Sequence, residues 1–247
     1  QAIEEVRAGL RTRRDGGGGA NYRGFRIAHR DLLLEYSISP TDGGGFCRCE
    51  NCLAAGSVSD RLQVFANRLA EALEAEFPNT SLSYYGAYSA HQEAPEVRSH
   101  RNVRIHLTTW TKDFFKTLDD GFRNDAFRRK VESFAAISDN LSIRDYDGMF
   151  SSWWGFGPIS LVDVHVPDYR WYHGIGVKGI STEAAGHWAA AGQSYYITSR
   201  LWWNPWTDVE AIKRDFVEKA FAGACGPMRS YYERLNRERG FLTSASL

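Results

Sequence analysis

Four acidic residues stand at or just past strand-like runs: Asp42 after Ser37–Thr41, Asp145 and Asp147 in Arg144-Asp145-Tyr146-Asp147-Gly148, and Glu183 in Ser181-Thr182-Glu183-Ala184-Ala185-Gly186. Cleaving a glycosidic bond takes two carboxyl groups facing each other across a cleft. One protonates the leaving oxygen, and the other serves as nucleophile, base or cation stabiliser. Each acid also has a plainer use as a helix cap, a turn former or an ion-pair partner. Asp42 is the most open to that use, because Asp before Gly is a common turn signal. Glu183 is the least open to it: Glu is a poor turn former, small residues follow it, and His187 and Trp188 come next. An aromatic wall desolvates a nearby carboxyl and suits it to general-acid work. Glu183 and Asp42 are therefore the leading catalytic pair, with Asp147 third.

A second constellation is Cys47-Arg48-Cys49-Glu50-Asn51-Cys52. Three thiols this close resemble a metal knuckle, although Cys-x-Cys-x-x-Cys lacks the paired Cys-x-x-Cys spacing of a zinc ribbon. Three readings stand side by side: a structural zinc held by Cys47, Cys49 and Cys52 with Cys225 or a His, a loop-closing disulfide with one free thiol, and inert reduced cysteines. A catalytic thiol is disfavoured, because no His is placed beside the cysteines by motif. Clamping the Gly-rich loop that precedes them is the use expected of them. No cofactor is implied for catalysis. No Gly-x-Ser-x-Gly elbow and no His-Glu-x-x-His occurs, and no Gly-x-Gly-x-x-Gly or P-loop pattern follows any expected strand, which sets aside serine-hydrolase, zinc-protease and dinucleotide-binding readings.

Thirty basic residues balance thirty acidic ones, so no charge excess exists to draw nucleic acid or an anionic membrane. No apolar run reaches the ~18–20 residues of a membrane span. The first residues, QAIEEVRAGLRTRR, contain no apolar signal core, and a mature secreted chain would look the same. Aromatic residues make up 14% of the chain, and seven of the eight Trp fall in its later part, Trp153, Trp154, Trp171, Trp188, Trp202, Trp203 and Trp206. Part of that set builds a core. Flat rings beside carboxylates also floor sugar-binding clefts.

These residues need a frame, and strands alternate with helices along the chain. Strands are expected at Leu32–Ser39, Ser81–Tyr88, Asn102–Trp110, Leu141–Asp147 and Val177–Glu183, with weaker ones at Phe25–Ala28 and Leu161–Val164. Helices are expected at Ala2–Arg14, at 59–77 behind a Ser59-Asp60 cap, at 119–137, and near 189–201, 208–222 and 227–239. Alternation of this kind implies parallel strands joined by helical crossovers. The fold class is α/β, closest to a partial TIM barrel, with chemistry expected where strands end. A doubly wound sheet is the structural alternative. Asp15-Gly16-Gly17-Gly18-Gly19-Ala20 separates an N-terminal helix and joint, 1–20, from a barrel-like domain, 21–247.

Taken in order, Ser37-Ile38-Ser39-Pro40-Thr41-Asp42-Gly43, Phe46-Cys47-Arg48-Cys49-Glu50-Asn51-Cys52, Ser59-Asp60-Arg61, Tyr85-Gly86-Ala87-Tyr88, Arg144-Asp145-Tyr146-Asp147, Gly176–Glu183 and Arg200-Leu201-Trp202-Trp203-Asn204-Pro205 resemble a bacterial domain-of-unknown-function family. The family looks like the later part of a glycoside-hydrolase-type (β/α) barrel, akin in architecture to α-glucuronidases and β-hexosaminidases. The resemblance implies secreted or periplasmic polysaccharide processing, and it puts Asp42, Asp147 and Glu183 on family motif positions. The resulting expectation is a glycosidase-like domain acting on a complex or acidic glycan. Tyr85, Tyr88, Trp110, Arg144, His187 and Trp203 would line the sugar site, Arg144 pairing a uronate carboxylate bidentately. The alternatives are a non-catalytic carbohydrate-binding domain on a degenerate barrel and a zinc-stabilised structural module.

Overall fold

The structure is a computed structural model, and it describes residues 1–14, 35–146, 160–183 and 188–238. The described elements are, in order, α1 (Ala2–Arg14), β1 (Glu35–Ser37), α2 (Glu50–Ala54), α3 (Val58–Leu73), β2 (Ser81–Gly86), β3 (Val103–Thr108), α4 (Phe122–Ile137), β4 (Leu141–Asp145), α5 (Val162–Gly174), β5 (Gly179–Thr182), α6 (Trp188–Trp203), α7 (Val209–Phe221) and α8 (Cys225–Glu238). The strands join one sheet in sequence order, β1-β2-β3-β4-β5. The pairings β1–β2, β2–β3 and β4–β5 are parallel. Parallel neighbours in sequence order, with helices between most of them, are the connectivity of a partial (β/α) barrel, and the fold class is α/β as expected.

The chain divides into two compact units, residues 1–107 with 133–141, and residues 108–132 with 142–247. In the first unit, α3 buries Leu62, Ala66, Leu69, Ala70 and Leu73, a stripe at helical spacing. It packs on β2, whose Leu82 and Tyr84 point the same way and are nearly fully buried. The Tyr84 hydroxyl donates to Gln63 Oε1 at 2.7 Å inside this layer. Gly86 is demanded by close approach: a Cβ there would lie 2.6 Å from Ile105 Cγ2. α1 packs on α3 through buried Val6 and Leu10, with Arg11 on Glu76 at 2.6 Å at its rim.

In the second unit, α5 and α6 pack together around Tyr169, Tyr172, Ile197 and Leu201. Two polar devices hold its loops. The Lys112 ammonium and the Asp168 carboxylate form an ion pair whose side chains are only 3% and 1% exposed. The other carboxylate oxygen of Asp168 accepts from Leu118 N–H at 2.8 Å. Asn124, fully buried, accepts from Asp113 N–H at 2.7 Å and donates to the Thr117 carbonyl at 2.9 Å.

Two sequence expectations need correction. The cap of α3 is Ser57, not the Ser59-Asp60 pair: Asp60 N–H donates to Ser57 Oγ at 3.0 Å while Ser57 N–H donates to Asp60 Oδ2 at 2.9 Å. Leu161–Val164 is not a strand. Val162 opens α5, where His165, Asp168, Tyr169 and Tyr172 are buried at helical rather than alternating spacing. Phe25–Ala28 and the Gly-rich joint lie outside the described residues. No helix among the described residues is long and apolar enough to cross a membrane.

Candidate functional site

The register of the strands explains which side chains meet. In the first unit Ser83 pairs with Arg104, and Tyr85 pairs with His106. On β1, Glu35 pairs with Ser81. Paired residues share a face of the sheet, and so do residues two apart on a strand. Glu35, Ser81, Ser83, Tyr85, Arg104 and His106 therefore form one polar face, while Leu82, Tyr84, Val103, Ile105 and Leu107 bury the other. Strands lie about 4.8 Å apart, and the small serines of β2 leave room for the Glu35 carboxylate to reach across to β3. Its Oε1 lies 2.6 Å from His106 Nε2, and its Oε2 accepts from Arg104 Nη1 at 3.0 Å. Burial alone would push this carboxyl up. The His106 ring, the Ser83 hydroxyl and the Arg104 guanidinium together outweigh it and bring the pKa from 4.5 down to about 2. An ionised carboxylate only accepts, so His106 Nε2 carries the proton in this contact.

Tyr85 and Tyr88 come together with ring centroids 5.8 Å apart, and Tyr85 also meets the His106 ring edge-on at 6.1 Å. Tyr88 lies between two residues held at positive φ, Ala87 at 54° and Ser89 at 49°. Non-glycine residues seldom adopt this conformation, and such backbone gathers at functional sites. The Ser89 hydroxyl donates to the Gly43 carbonyl, and the His91 ring, 3% exposed, sits between Phe46 and Tyr88 at 6.2 and 6.3 Å. Burial holds the His91 imidazole below its ordinary pKa. These contacts dock the loop after β1, which carries Asp42, onto the loop after β2. Asp42 itself is exposed.

The same loop carries the cysteines. The sulfur atoms of Cys47, Cys49 and Cys52 lie within 4.8 Å of one another, a grouping able to hold a metal ion. All four cysteines are free thiols. Cys49 caps the N-terminus of α2, and its thiol is lowered by the Cys52 backbone N–H and by its two thiol neighbours. Cys47 and Cys49 in turn raise the Cys52 thiol, against the Arg61 side chain. Arg61 of α3 also donates to the Cys47 carbonyl at 2.8 Å. Cys225, on α8, belongs to the second unit.

In the second unit Arg144 pairs with Ser181, so Glu183, two residues on, falls on the Arg144 face. Arg144 Nη2 donates to Glu183 Oε1 at 2.8 Å, with the side chains 23% and 38% exposed. The neighbour given to the carboxyl is thus a guanidinium, and the guanidinium foreseen for a sugar acid already faces a carboxylate of its own chain. Asp145 turns the other way. It is buried, accepting from Thr109 Oγ1 at 2.8 Å and from Tyr146 N–H at 2.9 Å, which is a structural use. Trp110, just past β3, is 47% exposed and packs edge-on against Tyr146 at 5.3 Å. Trp203, the last residue of α6, is 92% exposed. Asp147 and His187 lie outside the described residues.

The sequence reading missed Glu35, Arg104 and His106. The signal was present as polar residues at alternate positions inside strand-like runs, Glu35-x-Ser37 and Arg104-x-His106.

Comparison with known proteins adds one match. The model of a family described as a domain of unknown function, DUF4838, matches residues 27–234. No curated protein and no solved structure matches the chain.

Proposed function

The chain belongs to the DUF4838 family, and from that premise we propose a glycoside-hydrolase-like domain acting on a complex or acidic glycan. The observation that carries the reading is the partly exposed pair of Arg144, near the end of β4, and Glu183, just past β5, where parallel α/β folds place their chemistry. Glu183 is the catalytic carboxylate of this reading, and a carboxylate held by a guanidinium fits the part of nucleophile, base or cation stabiliser better than that of proton donor. Asp147, which belongs to the same unit as Glu183, is the partner proposed for the acid. In the second unit Trp110 offers a ring face to a sugar, and Trp203 and His187 are proposed as further binding residues there; in the first unit Tyr85 and Tyr88 offer ring faces of their own. Arg144 would exchange its own carboxylate for that of a uronate. A secreted or periplasmic setting goes with this reading.

A non-catalytic carbohydrate-binding domain is the second reading. It is favoured by the same pair, since a guanidinium matched to a carboxylate is already a recognition device for sugar acids. Glycan-array binding and hydrolysis of uronate-bearing and neutral oligosaccharides, on wild type and Glu183→Gln, separate the two. Hydrolysis that falls at least about 100-fold in Glu183→Gln while binding persists supports catalysis. Binding without hydrolysis in the wild type, weakened by Trp110→Ala, supports the second reading. Neither binding nor hydrolysis by a folded protein defeats both.

A further inference from the structure

The three cysteines themselves have no part in that chemistry, yet their geometry is that of a ligand set. We propose that Cys47, Cys49 and Cys52 bind one zinc ion as three thiolates, that Arg61 balances the charge of the complex, and that a water molecule takes the fourth position.

Three observations carry this. The sulfurs already lie within 4.8 Å of one another in free-thiol form. A tetrahedral zinc site with Zn–S bonds of about 2.3 Å places its sulfurs about 3.8 Å apart, so only small side-chain rotations are needed to close around the ion. Soft thiolates without a carboxylate among them select zinc over magnesium or calcium. The charge also works out. Three thiols give up three protons to bind one Zn2+, leaving a net charge of −1 on the complex. The Arg61 guanidinium, in contact with the Cys47 carbonyl and beside the Cys52 thiol, supplies +1.

The fourth position follows from exposure and sequence economy. Cys47 and Cys49 are exposed. Among the described residues the cluster gains no further His, Cys, Asp or Glu. All three ligands come from one six-residue stretch, and Cys225, far along the sequence, is not needed. The ion would join that stretch to the start of α3 through Arg61 and so fix the loop that carries Asp42. Three protein ligands with one open position are the layout of an exchangeable site rather than a sealed one.

The test uses the full chain with its thiols reduced, titrated with Co2+ as a spectroscopic stand-in and then with Zn2+. One equivalent should produce thiolate-to-cobalt charge-transfer absorbance that zinc abolishes. X-ray absorption of the zinc form should show three sulfurs and one light atom. Cys225→Ser should bind as wild type does. Cys49→Ser should lose the absorbance, and Arg61→Met should weaken zinc binding about tenfold or more. Absence of charge transfer with the thiols reduced, a four-sulfur shell, or loss of binding in Cys225→Ser would each overturn the proposal. The last two results hold even if Cys49→Ser fails to fold.

Discussion

Glu35 and Asp168 are both carboxylates facing cations inside their own units, and they are built on opposite plans. Glu35 stands on the polar face of a sheet, a third exposed, with a ring, a hydroxyl and a guanidinium as partners. Asp168 is sealed on a helix, with one ammonium and one backbone N–H. A sealed pair has lost its hydration and depends entirely on its partner, so it behaves as scaffolding. A shared carboxylate keeps access to water and can exchange one partner for another. The contrast separates residues that hold a loop in place from residues that remain available to a ligand, and Arg144–Glu183 belongs with the second kind.

The comparison breaks most visibly at Lys112. Lys112→Met should destabilise the protein by about 3–5 kcal/mol in chemical denaturation, because Asp168 is left charged and buried without its ammonium. Pairing it with Asp168→Leu should recover most of that loss. A single variant within about 1 kcal/mol of wild type would show that the pair is not sealed. Next comes Glu35, whose native pKa lies below its unfolded value, so its stabilisation is complete above about pH 4.5 and is lost as the pH falls toward about 2. With its exposure discounted, about 1–2 kcal/mol should disappear across that window in the wild type beyond what Glu35→Gln loses. Parallel acid-unfolding curves for the two proteins would contradict the network. The smallest effect is expected at Arg144 and Glu183, where a double-mutant cycle in Ala should give a coupling of about 0.5–1 kcal/mol. A coupling of several kcal/mol would move this pair into the sealed class and weaken its reading as a site.

The strand positions were legible in the sequence, because β2, β3 and β4 carry apolar residues at alternate positions, and α3 carries a stripe at helical spacing. The pairing of Arg144 with Glu183 was not legible, because it depends on the β4–β5 register, which places residues thirty-nine apart on one face. Glu35 was passed over for a similar reason. Inside Leu32–Ser39 it reads as an interruption of a buried strand, and its meaning appears only when β3 supplies His106 two strands away. Leu161–Val164 misled because β-branched residues with apolar neighbours suit a strand locally, whereas tertiary packing selects the helix. The cysteines announced themselves by spacing, but their convergence required the turn into α2.

The two positive-φ residues around Tyr88 also bear on binding entropy. A phenol ring on a loose loop loses backbone freedom when a ligand arrives, and that loss subtracts from affinity. Here Ala87 and Ser89 restrict the backbone on both sides of Tyr88, while Tyr85 and His91 border its ring. The ordering is completed during folding, where the whole core contributes to it, and is not left to the encounter. Under the proposed reading, a ligand stacking on Tyr88 would meet a face already fixed in direction, so selectivity at this position would be for the shape of the incoming molecule rather than for its ability to organise the protein.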